Sequence, residues 1–520
     1  MVEPAAAHHP SAHAVARSDG YERRRPEETV LYQTIAAHWP AFRERMEESG
    51  GLPQFVVSEF EEYLDCGRLE AGCLLLECRS CGYSQLVAFS CKRRGFCPGC
   101  VARRMADTGV HLEQRVLPEA PVRHWICSLP WGLRALLGYD KRLCADILAA
   151  VIAELGRSLK WRAKRLMGLS SVSDALTGAV GAVQRVDSAL RLNVHFHILY
   201  LDGVYVLDNA SRYDSPLTFH DLPTPTRAET TEIAGRIADR VEMILKKHGR
   251  SLDPDEAHSE PTEVQLEHPA LAACYDAAAL GVQVGGDRAG QPTLRLMSGE
   301  AAESAGDTAL PDLPVAEVRG INLYGRQWVH GHDRKQLERL ARYITRPPIA
   351  QERLTQRPDG TLLLEFKKAW KDGSRALVLT AEDLLVRLCA AVPSPRFHMV
   401  RYFGVLSSHS AFRSRVVPEP PEDTTAHRPS PAQGDQLELL GEEDDRAPKA
   451  LRHRWAWLLA HIFAASLECC PKCNGSMRWV EVAKTERAAL RLMAKLGLAP
   501  HPPPDTPATP LGQLSLQFGS

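Results

Sequence analysis

The sequence predicts an α+β fold of two or three domains, with a small metal-held module near the N-terminus and a small module near the C-terminus. Three observations predict it. The 520 residues are too many for one ordinary hydrophobic core. Alternating apolar segments predict strands at 122–129, 176–186 and 192–207, among segments with helical periodicity. Most of the 14 cysteines stand in metal-knuckle spacings rather than in a disulfide frame, which favours a reducing cytoplasm.

Composition excludes several classes of protein. Lys+Arg number 63 and Asp+Glu 64, so any nucleic-acid surface must be local rather than global. No apolar run reaches the length of a membrane span. The first thirty residues lack the continuous apolar core of a secretory signal and are expected to form a disordered leader.

The order of patterns along the chain predicts its domain organisation. After the leader (1–30) we expect an N-terminal helix with a cysteine module (31–110), a central domain (120–416) with a loop-rich insertion at about 250–316, an acidic linker (417–450), a knuckle module (451–497) and a disordered tail (498–520). Helical periodicity marks 28–64, 133–167, 227–248, 334–346 and Ala381–Ala391, with a short helix possible at 272–280, and two further strands are expected at 362–368 and 375–380. The pair Asp202-Gly203 predicts a two-residue hairpin turn.

Two cysteine knuckles in the N-terminal module have the spacing of a zinc site. Cys78-x-x-Cys81 is followed after fifteen residues by Cys97-x-x-Cys100. Each pair presents two thiolates, and two such pairs close a tetrahedral site. The sequence therefore predicts one structural zinc ion held by these four cysteines.

Other cysteines leave alternatives open. Cys66, Cys73 and Cys91 are interpreted as small buried residues, but Cys91 could replace one of the four ligands or help to hold a second ion, and a ligand role for Cys66 stays open. Near the C-terminus Cys470-Pro471-Lys472-Cys473 is a single knuckle, which supports zinc only if Cys469 or His461 joins it.

Basic residues surround the second knuckle, with no acidic residue from 91 to 104. This local charge predicts phosphate contacts in a chain that is neutral as a whole. The candidates are Lys92, Arg93, Arg94, Arg103 and Arg104.

Two histidines share one face of the strand at 192–207. Because alternate side chains of a strand point to opposite faces, His195 and His197 point together, away from Val194 and Phe196. Neighbouring neutral imidazoles can hold a divalent metal, although an isolated pair of this kind is more often structural.

A tyrosine lies on the polar side of the helix at 334–346. The apolar stripe of that helix is Leu337, Leu340, Ala341 and Ile344, and Tyr343 lies about 100° around the helix from Ile344. Three arginines surround it, Arg339, Arg342 and Arg346. Guanidinium groups there could hold a phosphate against the phenol oxygen, so Tyr343 is a candidate nucleophile.

Several motifs, in order, resemble the IS91 family of rolling-circle insertion-sequence transposases, which belong to the His-hydrophobe-His nuclease class. The resemblance covers roughly residues 30–500. It rests on Phe89-Ser90-Cys91-Lys92-Arg93-Arg94-Gly95-Phe96-Cys97-Pro98-Gly99-Cys100, Asn193-Val194-His195-Phe196-His197, Leu201-Asp202-Gly203-Val204, the 337–348 segment with Tyr343 and Pro347-Pro348, Arg396-Phe397-His398-Met399-Val400-Arg401-Tyr402, and Cys470-Pro471-Lys472-Cys473.

The resemblance implies a single-strand DNA endonuclease and strand transferase. Its fold would be an antiparallel sheet flanked by helices, with the histidines on a central strand. His195 and His197 would bind Mg²⁺ or Mn²⁺ that polarises the scissile phosphate, and Tyr343 would attack it to form a 5′-phosphotyrosine link. The partners would be single-stranded DNA at the element ends and target DNA, in the nucleoid of a bacterial cytoplasm. The N-terminal zinc module would assist DNA binding.

One departure from the family is visible. Its founding members carry two tyrosines four residues apart, whereas the position four before Tyr343 is Arg339. The chain thus reads as a single-tyrosine variant, with Tyr324 the nearby alternative. Gln336 and His332 are candidates for the third metal ligand. A relaxase or replication initiator of the same chemistry, a zinc-dependent DNA-binding regulator and a hydrolase that uses water are the competing interpretations.

Overall fold

The computed structural model describes residues 23–208, 214–251, 261–297, 312–370, 372–419, 467 and 469–500. The chain divides into two compact units. The smaller takes Met1–Pro26, Cys66–Ser90 and Arg446–Pro502, and the larger takes Glu27–Asp65, Cys91–Asp445 and Pro503–Ser520. Most of the predicted leader, linker and tail, and also His461, lie outside the described residues.

Twelve helices and fifteen strands are named within the described ranges, and they confirm the predicted α+β class. The helices are α1 Val30–Glu47, α2 Gln54–Asp65, α3 Pro98–Arg115, α4 Arg134–Tyr139, α5 Lys141–Met167, α6 Arg227–Lys247, α7 Glu263–Glu267, α8 Pro269–Leu280, α9 Arg334–Ile344, α10 Ala381–Ala391, α11 Arg413–Val416 and α12 Glu486–Lys495. The strands are β1 Cys73–Cys78, β2 Ser84–Ala88, β3 Val122–Ser128, β4 Gly178–Val186, β5 Leu192–Leu201, β6 Gly203–Leu207, β7 Leu217–Asp221, β8 Leu294–Met297, β9 Val315–Val318, β10 Ile321–Val329, β11 Leu354–Gln356, β12 Leu362–Glu365, β13 Ser374–Leu379, β14 Val400–Gly404 and β15 Met477–Ala483. None of these helices is both long enough and apolar enough to cross a membrane.

The larger unit is built on a six-stranded antiparallel sheet of order β14-β4-β5-β3-β10-β9. Helix α5 covers one face, where a Cβ added at Gly181 would lie 3.1 Å from both Leu148 and Ile152. Helices α3 and α9 contribute to the core on the opposite face, with α9 placing Leu337, Leu340 and Ile344 in one cluster with sheet residues. Because β5 is central and both faces are covered, its side chains are held on a rigid support.

The predicted insertion at about 250–316 is more ordered than expected. Its described part contains α7, α8 and β8, and β8 joins the sheet β11-β12-β13-β8. In α8, Leu271 and Tyr275 are fully buried. The short helix allowed for at 272–280 is therefore present as α8, whereas α7 and β8 were not expected in this segment.

The predicted hairpin at Asp202-Gly203 is also wrong. Strand β6 pairs with β7 rather than with β5. The Asp202 carboxylate is buried and accepts hydrogen bonds from Arg123 Nε (2.8 Å) and Nη2 (2.5 Å), and burial raises its pKa. A Cβ at Gly203 would lie 2.3 Å from the carbonyl oxygen of His220. The two residues therefore serve a buried ion pair and a close backbone approach, not a turn.

The smaller unit is a three-stranded antiparallel sheet of order β15-β1-β2 with α12 packed on it. Its core combines Leu75 and Leu86 from the N-terminal part with Leu492 and Met493 from the C-terminal part. The central strand is β1, so its residues 73–78 pair on both sides.

Candidate active site and cysteine clusters

The two predicted histidines lie together on β5. Their ring centroids are 5.0 Å apart, and His197 is only 2% exposed. In the sheet register His197 stands between Ala182 on β4 and Ile126 on β3. This is the face on which α9 packs, because Ala182 belongs to the same core cluster as Leu340 and Ile344.

A third histidine, His124 on β3, extends the pair. His124 Nε2 is 2.9 Å from His197 Nδ1, and His124 Nδ1 is 3.2 Å from Gln327 Oε1. The amide oxygen can only accept, so His124 Nδ1 donates to it. A neutral His124 then accepts at Nε2 from His197 Nδ1–H. His197 Nε2, which is buried and has no hydrogen-bond partner among the described residues, therefore carries a lone pair.

His195 is oriented in the same way by the backbone. Its Nδ1 lies 2.6 Å from the carbonyl oxygen of Asn193 and donates to it, which leaves the lone pair on Nε2. Burial lowers the pKa of His195 and of His124, and it lowers that of His197 well below the usual value, aided by the charges of the other two histidines and of Arg346. Neutral imidazoles are the form that binds a metal.

Tyr343 lies directly beside the histidines. Its ring centroid is 5.6 Å from that of His197 and 6.0 Å from that of His124, in edge-on geometry. The side chain is 40% exposed, whereas the apolar stripe of α9 is buried. Gln184 Nε2 donates to the carbonyl oxygens of Tyr343 (3.2 Å) and Ile344 (3.1 Å), which fixes the last turn of α9 to β4.

Arg339 and Arg342 of α9 differ in their surroundings from each other, and Arg346 follows just after the helix. The Arg346 guanidinium lies 4.7 Å from the Tyr343 ring centroid, and Arg346 and Arg339 are exposed. Arg342 instead pairs with Glu338 and lies against Gly109 of α3. Arg342 is thus engaged in helix packing, while the other two remain available to a phosphate.

The remaining candidates of the sequence analysis are exposed. Gln336 is exposed at the first turn of α9, where its backbone N–H donates to Asp333, and His332 pairs with Glu119 at 3.5 Å. Tyr324 is 39% exposed on β10. Sequence reasoning missed His124, although a histidine within the predicted strand 122–129 was a usable signal.

The structure does not bring the four predicted zinc ligands together. Two separate groups form instead. Cys91, Cys97 and Cys100 lie together in the larger unit, and Cys78 lies with Cys81, Cys470 and Cys473 in the smaller unit, each group with its sulfurs within 4.8 Å of one another. A single site at Cys78, Cys81, Cys97 and Cys100 is therefore replaced by two clusters. The Cys78-x-x-Cys81 knuckle joins the Cys470-x-x-Cys473 knuckle because β1, which ends at Cys78, pairs with β15, which begins at Met477.

The first cluster is supported by the start of α3 and by a buried aromatic group. Cys97 is the N-cap of α3, and Cys91 Sγ lies 3.4 Å from Cys100 Sγ. Phe96 packs against Phe60 and Tyr63 of α2 at 4.7 and 5.3 Å between centroids.

Several of the basic residues near this cluster already contact other groups of the protein. Arg93 pairs with Glu62, Arg94 donates to the carbonyl oxygen of Phe397 at 3.2 Å, and Arg104 donates to that of Lys92 at 2.6 Å. Lys92 and Arg94 are exposed. Arg103 is half-buried, and burial lowers its pKa.

Comparisons with known proteins match this chain to transposases. A family described as putative transposase matches residues 178–413, and one described as transposase zinc-binding domain matches residues 34–129. The chain is 24% identical over 373 residues to the transposase for insertion sequence element IS801 of Pseudomonas savastanoi pv. phaseolicola, covering 69% of this chain and 72% of that one. No solved structure matches.

The protein is therefore a transposase, a class of enzyme that cleaves DNA and transfers its strands. More particularly, it resembles the transposases of the IS91 type, with a match to their zinc-binding domain near its N-terminus.

Proposed function

We propose that this transposase cleaves and rejoins single-stranded DNA through a 5′-phosphotyrosine intermediate formed on Tyr343. The observation that carries the proposal is the position of Tyr343, 5.6 Å between ring centroids from His197 and beside the exposed Arg346. A nucleophile, imidazoles with free Nε2 lone pairs and an anion-binding guanidinium converge there. A packing tyrosine would lie in line with the buried stripe of α9.

The reaction exchanges one phosphodiester for another. The Tyr343 hydroxyl loses its proton as the phenol oxygen attacks phosphorus, and the P–O3′ bond breaks. The leaving 3′ oxygen takes a proton and becomes a free 3′-hydroxyl, while the 5′ phosphate stays on Tyr343. Attack by a 3′-hydroxyl of target DNA reverses these bond changes, so rejoining needs no nucleotide cofactor. Arg346 and Arg339 offset the phosphate charge.

His195 and His197 would hold the catalytic Mg²⁺ or Mn²⁺ through their Nε2 atoms. Two observations indicate that the histidines fit such an ion. His197 Nε2 is buried without a hydrogen-bond partner among the described residues, and burial lowers the pKa of both imidazoles, which favours their neutral form. A bound divalent ion would draw electron density from the scissile phosphate. Imidazole ligands suit Mn²⁺ better than Mg²⁺, so we expect stronger activity with manganese.

The N-terminal cluster would hold a structural zinc ion and support DNA binding. Its ligands would include Cys91, Cys97 and Cys100. The exposed Lys92 and Arg94 beside it would contact the DNA backbone. Such a protein would act in the bacterial cytoplasm, on DNA of the nucleoid.

Covalent trapping tests the proposal. The purified protein is incubated with a labelled single-stranded oligonucleotide from the end of its own element and with Mn²⁺, then analysed by denaturing electrophoresis. We expect a shifted protein–DNA band in the wild type that is lost in Tyr343→Phe, because the phenylalanine keeps the ring and removes only the oxygen. Tyr324→Phe is the matched control, since Tyr324 is equally exposed, and it should retain the band.

Other outcomes identify other functions. A band that persists in Tyr343→Phe and disappears in Tyr324→Phe transfers the role to Tyr324. Cleavage without any shifted band indicates a hydrolase that uses water. DNA binding without cleavage indicates a regulator.

A further inference from the structure

Half of the second cysteine cluster lies beyond what either family match covers. The zinc-binding match ends at residue 129 and the transposase match at residue 413, whereas two of the four cysteines are Cys470 and Cys473. The other two, Cys78 and Cys81, stand at the end of β1. All four belong to the smaller unit.

The sulfur positions match a tetrahedral metal site. Cys78 Sγ lies 3.4 Å from Cys473 Sγ, and Cys81 Sγ lies 3.6 Å from Cys470 Sγ. All four sulfurs are within 4.8 Å of one another. Zinc–sulfur bonds of about 2.3 Å in a tetrahedron place sulfurs about 3.8 Å apart. The four atoms thus enclose a space of the size that one zinc ion fills.

The backbone of both knuckles is shaped to hold this arrangement. The residues after the second cysteines, Gly82 and Asn474, have φ of +71° and +59°, and their N–H groups donate to the first cysteine's carbonyl oxygen at 3.1 and 2.8 Å. A Cβ at Gly475 would lie 2.4 Å from Ser80 Oγ and 3.3 Å from Cys473 Sγ. Glycine is therefore required where the knuckles meet.

Local bonds then join the two knuckles to the sheet. Arg79 N–H donates to the carbonyl oxygen of Ser476 at 3.0 Å, and the β1–β15 register begins at Cys78 opposite Met477. Cys81 and Cys473 are exposed, so hydrophobic packing does not explain why their thiols converge. A bound ion does explain it.

We propose that Cys78, Cys81, Cys470 and Cys473 bind a second structural zinc ion, which joins the two ends of the chain into one unit. The four thiols lose their protons to solvent as the four zinc–sulfur bonds form. This ion is separate from the one at Cys91, Cys97 and Cys100, so each chain carries two.

Zinc content of the full-length chain tests the proposal. Elemental analysis should give two ions per wild-type chain and one in Cys473→Ser. The double variant that combines Cys78→Ser with Cys473→Ser should still retain one zinc ion per chain, because both cysteines belong to the same site. Cys473→Ser combined with Cys97→Ser should retain none. Cys469→Ser is the matched control, since Cys469 adjoins Cys470 but lies outside the cluster, and it should keep two ions.

A second measurement separates ligand loss from misfolding. Cys473→His supplies an imidazole in place of the thiolate and should restore two zinc ions, with an altered absorption spectrum after cobalt substitution. Two ions in Cys473→Ser would overturn the proposal. So would a Cys78→Ser, Cys97→Ser double variant with the zinc content of either single variant, which would show one site shared by the neighbouring knuckles.

Discussion

At the scale of single residues, the direction of each hydrogen bond decides which histidine nitrogen can meet a metal. Gln327 Oε1 accepts from His124, and His124 in turn accepts from His197 Nδ1. This relay leaves His197 Nε2 free, just as the Asn193 carbonyl leaves His195 Nε2 free. In the proposed metal site His124 would therefore be a positioning residue, which acts through His197.

Removing the relay should weaken metal binding more than folding. In His124→Leu we expect the Mn²⁺ concentration for half-maximal cleavage to rise about tenfold or more, because the orientation and tautomer of His197 are no longer fixed. His124→Gln can still accept from His197 Nδ1 and should recover most of the wild-type value. The measurement is the Mn²⁺ dependence of oligonucleotide cleavage. An unchanged Mn²⁺ dependence in His124→Leu, with an unchanged melting temperature, would contradict this role.

The sequence could predict the histidine pair but not the relay. His195 and His197 are two residues apart, and strand alternation alone places them on one face. His124 and His197 are 73 residues apart, and only the register of β3 against β5 brings them together. The prediction of a turn at Asp202 was wrong for a related reason. The buried ion-pair partner of Asp202 is Arg123, which lies 79 residues away in the sequence.

At the scale of secondary-structure elements, the placement of Tyr343 depends on how α9 packs. The predicted stripe of Leu337, Leu340, Ala341 and Ile344 is buried, and α9 ends within two residues of the predicted position. Periodicity could predict this much, because it is local. The contact with α3 could not be predicted, since it depends on Gly109, a residue that lacks any helical signal of its own.

Filling the contact between α3 and α9 should displace Tyr343, the proposed nucleophile. A Cβ at Gly109 would lie 2.6 Å from Arg342 Cγ and 3.5 Å from the Glu338 carbonyl oxygen. We expect Gly109→Ala to destabilise the fold by about 1–3 kcal/mol, as overpacking does, and to lower adduct formation per folded molecule. The assays are chemical denaturation and covalent trapping.

The control for this change is Gly235→Ala. Gly235 lies within α6, and a Cβ there meets nothing within 4 Å. That substitution should raise stability by about 0.5–1 kcal/mol, because alanine favours a helix over glycine. Equal effects of the two substitutions would show that helix propensity, and not the contact with α9, governs position 109.

At the scale of the whole molecule, the smaller unit is assembled from chain segments that are far apart in sequence. Cys78 and Cys473 are 395 residues apart. Spacing alone favours the nearer knuckle, Cys97 and Cys100, because a C-x-x-C pair does not show which other pair completes its site. The choice is made by the pairing of β1 with β15 and by the shared core, neither of which is a local property.

Removing the C-terminal segment should therefore unfold structure close to the N-terminus. A chain that ends after residue 445 lacks β15 and α12, which supply Ala483, Ala489, Leu492 and Met493 to the shared core. Strand β1 then has an unpaired edge, and Leu75 loses its covering. We expect rapid amide hydrogen exchange at residues 73–78, lower solubility and one zinc ion fewer. A chain that ends after residue 500 keeps every element of the smaller unit and is the matched control, with slow exchange at β1. Slow exchange at β1 in the shorter chain would show that β1 and β2 are stable without the C-terminal segment, and would refute the dependence of this unit on both ends of the chain.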